Sequence, residues 1–176
     1  TKAQLALVFS TAETWADVDK SFPKKPIKRF IPGTDSGTHD YFVEEIFKKD
    51  KKIMLGAKNL QLSEDDNVLV QGIDGDQYAI GFFGYAYYEE NMKKLNIVDV
   101  EGVTPNAETV SKNTYPLSRP LFIYSDANIM KTKPQVASFI NYYISNVDKE
   151  VKRVGYFPAS ADVIAASKKK WLDAVK

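Results

Sequence analysis

Residues 26–47 pass from the pattern of a strand, through a turn rich in glycine and hydroxyl groups, into the pattern of a helix. The segment PIKRFI at 26–31 alternates apolar and basic residues as a half-buried strand does, and apolar residues recur at helical spacing over 41–47. Between these two segments lies PGTDSGTHD at 32–40. The sequence therefore predicts a turn that leaves a strand and opens a helix.

This turn has the chemistry of an oxyanion site. The first N–H groups of a helix have no partner inside it, and the helix dipole adds partial positive charge there. Ser36 and Thr38 can cap these N–H groups or donate their hydroxyls to a bound oxyanion, and Gly37 lets the backbone approach a ligand closely. The dipole contributes only about 0.3–1 kcal/mol, whereas micromolar binding needs roughly 8 kcal/mol. More donors must therefore converge on the anion, and simple capping without a ligand is an equal alternative.

Strand and helix patterns alternate along the rest of the chain. Apolar runs at 78–84 and 97–100 predict strands, and helices are predicted over 3–9, 85–95 and 107–111, from Pro134, and from Ser160 to Trp171. Such alternation predicts an α/β fold.

Composition excludes several function classes. Lys and Arg total 24 against 23 Asp and Glu, a net charge of +1, so no nucleic-acid partner is predicted. There is no cysteine and a single histidine, so we predict neither a metal site nor a cofactor. Ser36, His39 and Asp40 lie within one helical turn and cannot form a catalytic triad, and no G-x-S-x-G motif is present. The chain is therefore not predicted to be an enzyme.

Three separated blocks resemble one protein family. They are PGTDSGTHDYF at 32–42, SEDDNVLVQGIDGDQYAIGFFGYAYYEEN at 63–91 and YPLSRPLFIY at 115–124. In this order they resemble the substrate-binding proteins of phosphate ABC transporters, the PstS-type family of type II periplasmic binding proteins. The resemblance implies extracytoplasmic binding of inorganic phosphate, in the periplasm or at the cell surface, and delivery to an ABC transporter permease. It also implies that 63–72 packs behind the turn and contributes a hydrogen bond to it.

The resemblance implies a two-lobed α/β architecture. Residues 1–25 would end the first lobe and approach the hinge, and residues 26–116 would form the second, anion-binding lobe. Residues 117–176 would form the crossing strand and the C-terminal helices of the first lobe. In that family a signal sequence and a first turn supply the other half of the phosphate site. We therefore expect one nearly complete lobe plus the C-terminal helices of the other, with the missing N-terminal segment of the same protein as a partner.

The resemblance also assigns site residues. Ser36, Gly37 and Thr38 would hold phosphate through hydroxyl and backbone donors, Asp35 would accept the proton of monohydrogen phosphate, and Thr34 would be a further hydroxyl donor. The family's arginine lies four residues ahead of the serine, where this chain has proline, so the candidate is Arg29, seven residues ahead. Two alternatives stay open: another oxyanion (molybdate, tungstate or sulfate), or a structural fragment that binds nothing.

Overall fold

The computed structural model describes residues 1–176, which form two compact units, Thr1–Pro105 and Asn106–Lys176. The predicted lobe boundaries fall at 26 and 117, whereas the compact units divide between Pro105 and Asn106. The assignment of segments to two lobes stays a prediction.

The first unit is built on a three-stranded parallel sheet. Its helices are α1 (Lys2–Val8), α2 (Trp15–Val18), α3 (Gly37–Phe47), α4 (Lys51–Leu55), α5 (Asp66–Asp74) and α6 (Tyr85–Glu90), and its strands are β1 (Lys28–Pro32), β2 (Leu60–Ser63) and β3 (Ala79–Gly81). The strand order is β2-β1-β3. The chain thus adds β2 on one side of β1 and then crosses to place β3 on the other. The strand order reverses at β1, and open α/β sheets bind ligands at the carboxyl ends of the strands at such a point.

Aromatic side chains fix α3 against the sheet. Phe42 of α3 stacks on Phe82, which directly follows β3, with ring centroids 3.9 Å apart. Phe9, just after α1, meets both rings edge-on, at 5.1 Å from Phe42 and 5.4 Å from Phe82. Such clusters contribute both buried area and preferred ring geometry. The start of α3 is therefore held at the carboxyl end of the sheet by its own buried face.

The predicted strand and helix around the turn are confirmed as β1 and α3, whereas the strand predicted at 97–100 is wrong. Only an isolated antiparallel bridge joins Val100 to Val103. Glu101 and Gly102 have φ values of 53° and 74°, so the chain reverses directly after Val100 and cannot extend along the sheet.

The second unit is helical. It contains α7 (Ala107–Ser111), α8 (Ala127–Thr132), α9 (Pro134–Arg153) and α10 (Ala161–Val175), so the helices predicted at 107–111, from Pro134 and from Ser160 are confirmed. Met130, Ile140 and Ile144 form its core. A hydrogen bond links α10 to α9: the Trp171 indole N–H donates to the Ala137 carbonyl at 2.9 Å. No helix in residues 1–176 combines the length and the apolar character that crossing a membrane would require.

The segment that resembles a crossing strand, 115–124, forms neither strand nor helix. Leu121, Phe122 and Tyr124 are 63%, 69% and 86% exposed. No strand within residues 1–176 pairs with this segment.

Candidate anion-binding site

The turn between β1 and α3 is tied to the neighbouring strand. The Gly33 N–H donates to the Ser63 carbonyl at 2.9 Å, which continues the β1–β2 ladder by one step, and the Ser36 N–H closes the turn by donating to the Gly33 carbonyl at 3.1 Å. The turn therefore stands at the carboxyl end of the central strand, at the point where the strand order reverses.

Ser36 is the N-cap of α3. Its backbone is extended, with φ −79° and ψ 128°, and its Oγ accepts from the Thr38 N–H at 3.2 Å. The N–H groups of Thr34 and Gly37 and the hydroxyls of Thr34 and Thr38 have no partner within the protein. Thr34, Asp35 and Gly37 are exposed, and Ser36 and Thr38 are half-buried. The structure thus brings five of the six predicted site residues together at an accessible helix N-terminus, where the dipole favours negative charge.

An acidic loop flanks the turn on the β2 side. Glu64 directly follows β2, and its Oε1 lies 3.5 Å from the Asp35 amide nitrogen. The hydrogen bond expected from residues 63–72 is confirmed at Ser63, whose carbonyl accepts from the Gly33 N–H at 2.9 Å. Sequence reasoning placed this block behind the turn but did not single out Glu64. No sequence signal distinguishes Glu64 from its acidic neighbours Asp65 and Asp66.

Beside Glu64, the loop continues into the start of α5. Asp65 caps this helix by accepting from the Asn67 N–H at 2.9 Å. Burial, and then the neighbouring charges of Asp65 and Glu64, raise the pKa of Asp66 above its ordinary value of 3.8. The flank of the turn on this side is therefore negative and contributes no cation to a bound oxyanion.

The sixth predicted residue, Arg29, lies elsewhere. Its guanidinium is fully buried and donates to the carbonyls of Val8, Ala12, Ile27 and Lys58, at 3.3 Å for Ile27 and 2.6 Å for Lys58. Burial lowers its pKa from the ordinary value. Because these carbonyls take the guanidinium donors, the structure does not bring Arg29 to the turn. The side chain instead ties the end of α1 to β1.

His39, the third residue of α3, is also fully buried. Its Nε2 has no hydrogen-bond partner, and its Nδ1 lies 3.4 Å from Oδ1 of the exposed Asp40. It forms no hydrogen bond with Ser36, so these residues do not form a nucleophile–base pair. No group of three or more His, Cys, Asp or Glu side chains within residues 1–176 has the geometry to hold a metal ion.

Comparisons with known proteins agree with this geometry. The family model for the PBP superfamily domain matches residues 1–147. Protein SphX of Synechococcus elongatus is 42% identical over 97% of this chain and 52% of its own length. The phosphate-binding protein PstS of Staphylococcus haemolyticus is 35% identical over 99% of this chain and 53% of its own length. The chain thus spans about half the length of these relatives.

A solved structure shows the same fold. The crystal structure of a possible phosphate binding protein from Planctomyces limnophilus aligns with a TM-score of 0.81 at 33% identity, over 99% of this chain and 64% of that one. This fold, the sheet with its turn at the switch point and the match over residues 1–147 together show that the chain belongs to the PBP superfamily, with PstS and SphX proteins among its relatives.

Proposed function

We propose that this chain binds inorganic phosphate at residues 34–38, as part of an extracytoplasmic binding protein that delivers phosphate to an ABC-type permease. The observation that carries the proposal is the position of the turn: its unpartnered donors stand at the start of α3, at the carboxyl end of the central strand. The names of the relatives support phosphate as the anion.

Each residue of the turn has a separate role in this proposal. The hydroxyls of Ser36 and Thr38 and the N–H groups of Thr34 and Gly37 donate to phosphate oxygens, and the Thr34 hydroxyl is a further donor. The carboxylate of Asp35 accepts the proton of monohydrogen phosphate. Sulfate carries no such proton, so it would leave this acceptor unpaired and facing another anion, and phosphate is preferred.

The turn supplies only part of the donors that tight binding requires. No cation lies among the hydrogen-bond partners of the turn, and the Arg29 guanidinium donates to backbone carbonyls elsewhere. The missing N-terminal segment of the same protein would supply the opposite half of the site. The chain alone therefore binds phosphate in the millimolar range at best, equivalent to about 4 kcal/mol.

Isothermal titration of the chain with phosphate, and with sulfate, molybdate and tungstate for comparison, tests the proposal. Thr38→Val keeps the side-chain shape and removes a donor, and Ser36→Asp keeps an N-cap acceptor while adding a negative charge to the site. We expect both variants to weaken phosphate binding and Ser145→Ala, at an exposed position of α9, to leave it unchanged. Equal binding by all variants would refute this site, and a preference for another oxyanion would replace phosphate as the ligand.

A further inference from the structure

A carboxylate of the protein itself contacts the turn proposed to bind phosphate. Glu64 Oε1 lies 3.5 Å from the Asp35 amide nitrogen, a long contact, and the two residues follow neighbouring strands of the sheet. A carboxylate presents to this N–H the same kind of atom that a phosphate would present, a negatively charged oxygen. The turn thus has an oxyanion beside it before any ligand binds.

Gly33 provides the space for this carboxylate. A Cβ placed on Gly33 would lie 1.7 Å from Glu64 Oε1 and 2.2 Å from its Cδ, so no other residue fits there without moving Glu64. The φ of Gly33 is not in the positive range, so backbone conformation does not require glycine at this position. The space that a side chain would fill at Gly33 is occupied by the Glu64 carboxylate.

No cation competes for Glu64. Its carboxylate forms no ion pair within residues 1–176, and its nearest charged neighbours along the chain are Asp65 and Asp66. The side chain is exposed and free to change rotamer. The Asp35 N–H is therefore its one hydrogen-bond donor in the protein, and a second anion at the same turn would be repelled by it.

We propose that Glu64 is an internal competitor for the anion site: its carboxylate occupies the edge of the turn when no ligand is bound and is displaced when an oxyanion binds. This inference rests on the proposed function, since displacement requires a bound anion. In this role Glu64 weakens the binding of an anion instead of contributing to it. Removing its charge strengthens binding, and strengthens it for every oxyanion alike.

The contact itself is tested on the full chain without ligand. Glu64→Ala should shift the Asp35 amide resonance in the ¹H–¹⁵N spectrum and speed hydrogen exchange at that amide. Glu90→Ala, which removes an exposed carboxylate without a hydrogen bond, should change neither. An Asp35 amide that does not respond to Glu64→Ala would overturn the inference, whatever the chain does with phosphate.

Displacement is tested by titrating inorganic phosphate, and separately sulfate, into three proteins: the unsubstituted chain, the Glu64→Gln variant and the Glu90→Gln control variant. Relief of the repulsion between one carboxylate charge and a doubly charged anion about 4 Å away in water predicts roughly thirty-fold tighter binding of both anions by Glu64→Gln. Unchanged affinity, or weaker binding of phosphate alone, would overturn the inference, the latter by showing that Glu64 accepts the phosphate proton. If the Asp35 amide responds but neither chain binds phosphate, the proposed function fails and the displacement with it.

Discussion

At the scale of single residues, the buried Nε2 atom of His39 has no hydrogen bond to offset the cost of its burial. Its Nε2 is buried without a partner, and its Nδ1 reaches only the exposed Asp40 at 3.4 Å. An unsatisfied buried polar group costs about 1–3 kcal/mol. His39→Leu, which has similar volume and no polar atom, should therefore raise the free energy of unfolding by about 1 kcal/mol.

Urea unfolding followed by Trp15 fluorescence, in a chain with Trp171→Phe, measures this change in the first unit. His39→Gln is the matched control, because it keeps polar atoms in the same place and should give no gain. A loss of stability in His39→Leu would contradict the prediction and show that the imidazole has a favourable partner.

Asp66 predicts a pH dependence at the same scale. Its pKa in the folded chain is raised above 3.8, first by burial and then by Asp65 and Glu64. The folded chain therefore holds the proton more tightly than the unfolded chain, and ionisation of Asp66 costs stability as pH rises through the folded pKa. Asp66→Asn should raise the Tm at neutral pH, and the gain should disappear as pH falls below 3.8, where the carboxyl is protonated in both states.

Thermal melts of the Asp66→Asn variant and of the unsubstituted chain, recorded from neutral to acid pH, measure this difference in Tm. Glu90→Gln, an exposed carboxylate, should show no such pH-dependent gain. A Tm difference that stays constant across the range would mean that the carboxyl charge is not its cause.

At the scale of elements, the end of α3 has an unfavourable backbone. Lys48 and Lys49 follow the helix with φ values of 50° and 73°, in the left-handed region that glycine tolerates best. Lys48→Gly should raise the free energy of unfolding by about 1 kcal/mol. Lys52→Gly places the same residue inside α4 and should lower it by about 1 kcal/mol. Urea unfolding of the two variants measures both values, and a loss in both would contradict the backbone explanation.

The elements that the sequence predicted are those specified by local pattern. The turn chemistry, β1, α3, α9 and α10 follow from residue spacing and capping, and they were predictable. The burial of the Arg29 side chain away from the turn was not predictable, because Lys28 and Arg29 are adjacent and point to opposite faces of β1. The strand pattern does not say which is buried, and in the structure Lys28 is exposed and pairs with Asp76 at 2.7 Å, whereas Arg29 is buried.

The position of Glu64 was unpredictable for a related reason. Its contact with the turn depends on β2 lying beside β1 in a register that pairs Pro32 with Ser63. Strand order and register are set by packing between segments distant in sequence, and β2 carries only four residues. The same dependence explains why the switch point, which supports the anion site, emerges only from the assembled sheet.

At the scale of the whole molecule, the second unit exposes a segment of large apolar side chains at 121–124 that a binding partner could bury. Leu121, Phe122 and Tyr124 lie in a segment without strand or helix and are more than half exposed, and the chain spans about half the length of its curated relatives. Burying these side chains would be favourable by roughly 1.5–3 kcal/mol each. We predict that the N-terminal segment proposed above as a partner covers this surface and completes the phosphate site.

Adding that segment to the chain as a separate polypeptide should therefore have two effects at once. It should slow hydrogen exchange over residues 119–124, and it should tighten phosphate binding. Two variants separate these effects. Leu121→Ser with Phe122→Ser should weaken association with the segment and lose both effects. Thr38→Val should keep the slower exchange, because it lies outside the apolar surface, but should gain less phosphate affinity. Exchange over residues 119–124 that is equally fast with and without the segment would show that this surface has a different partner, and that the half-site is completed in some other way.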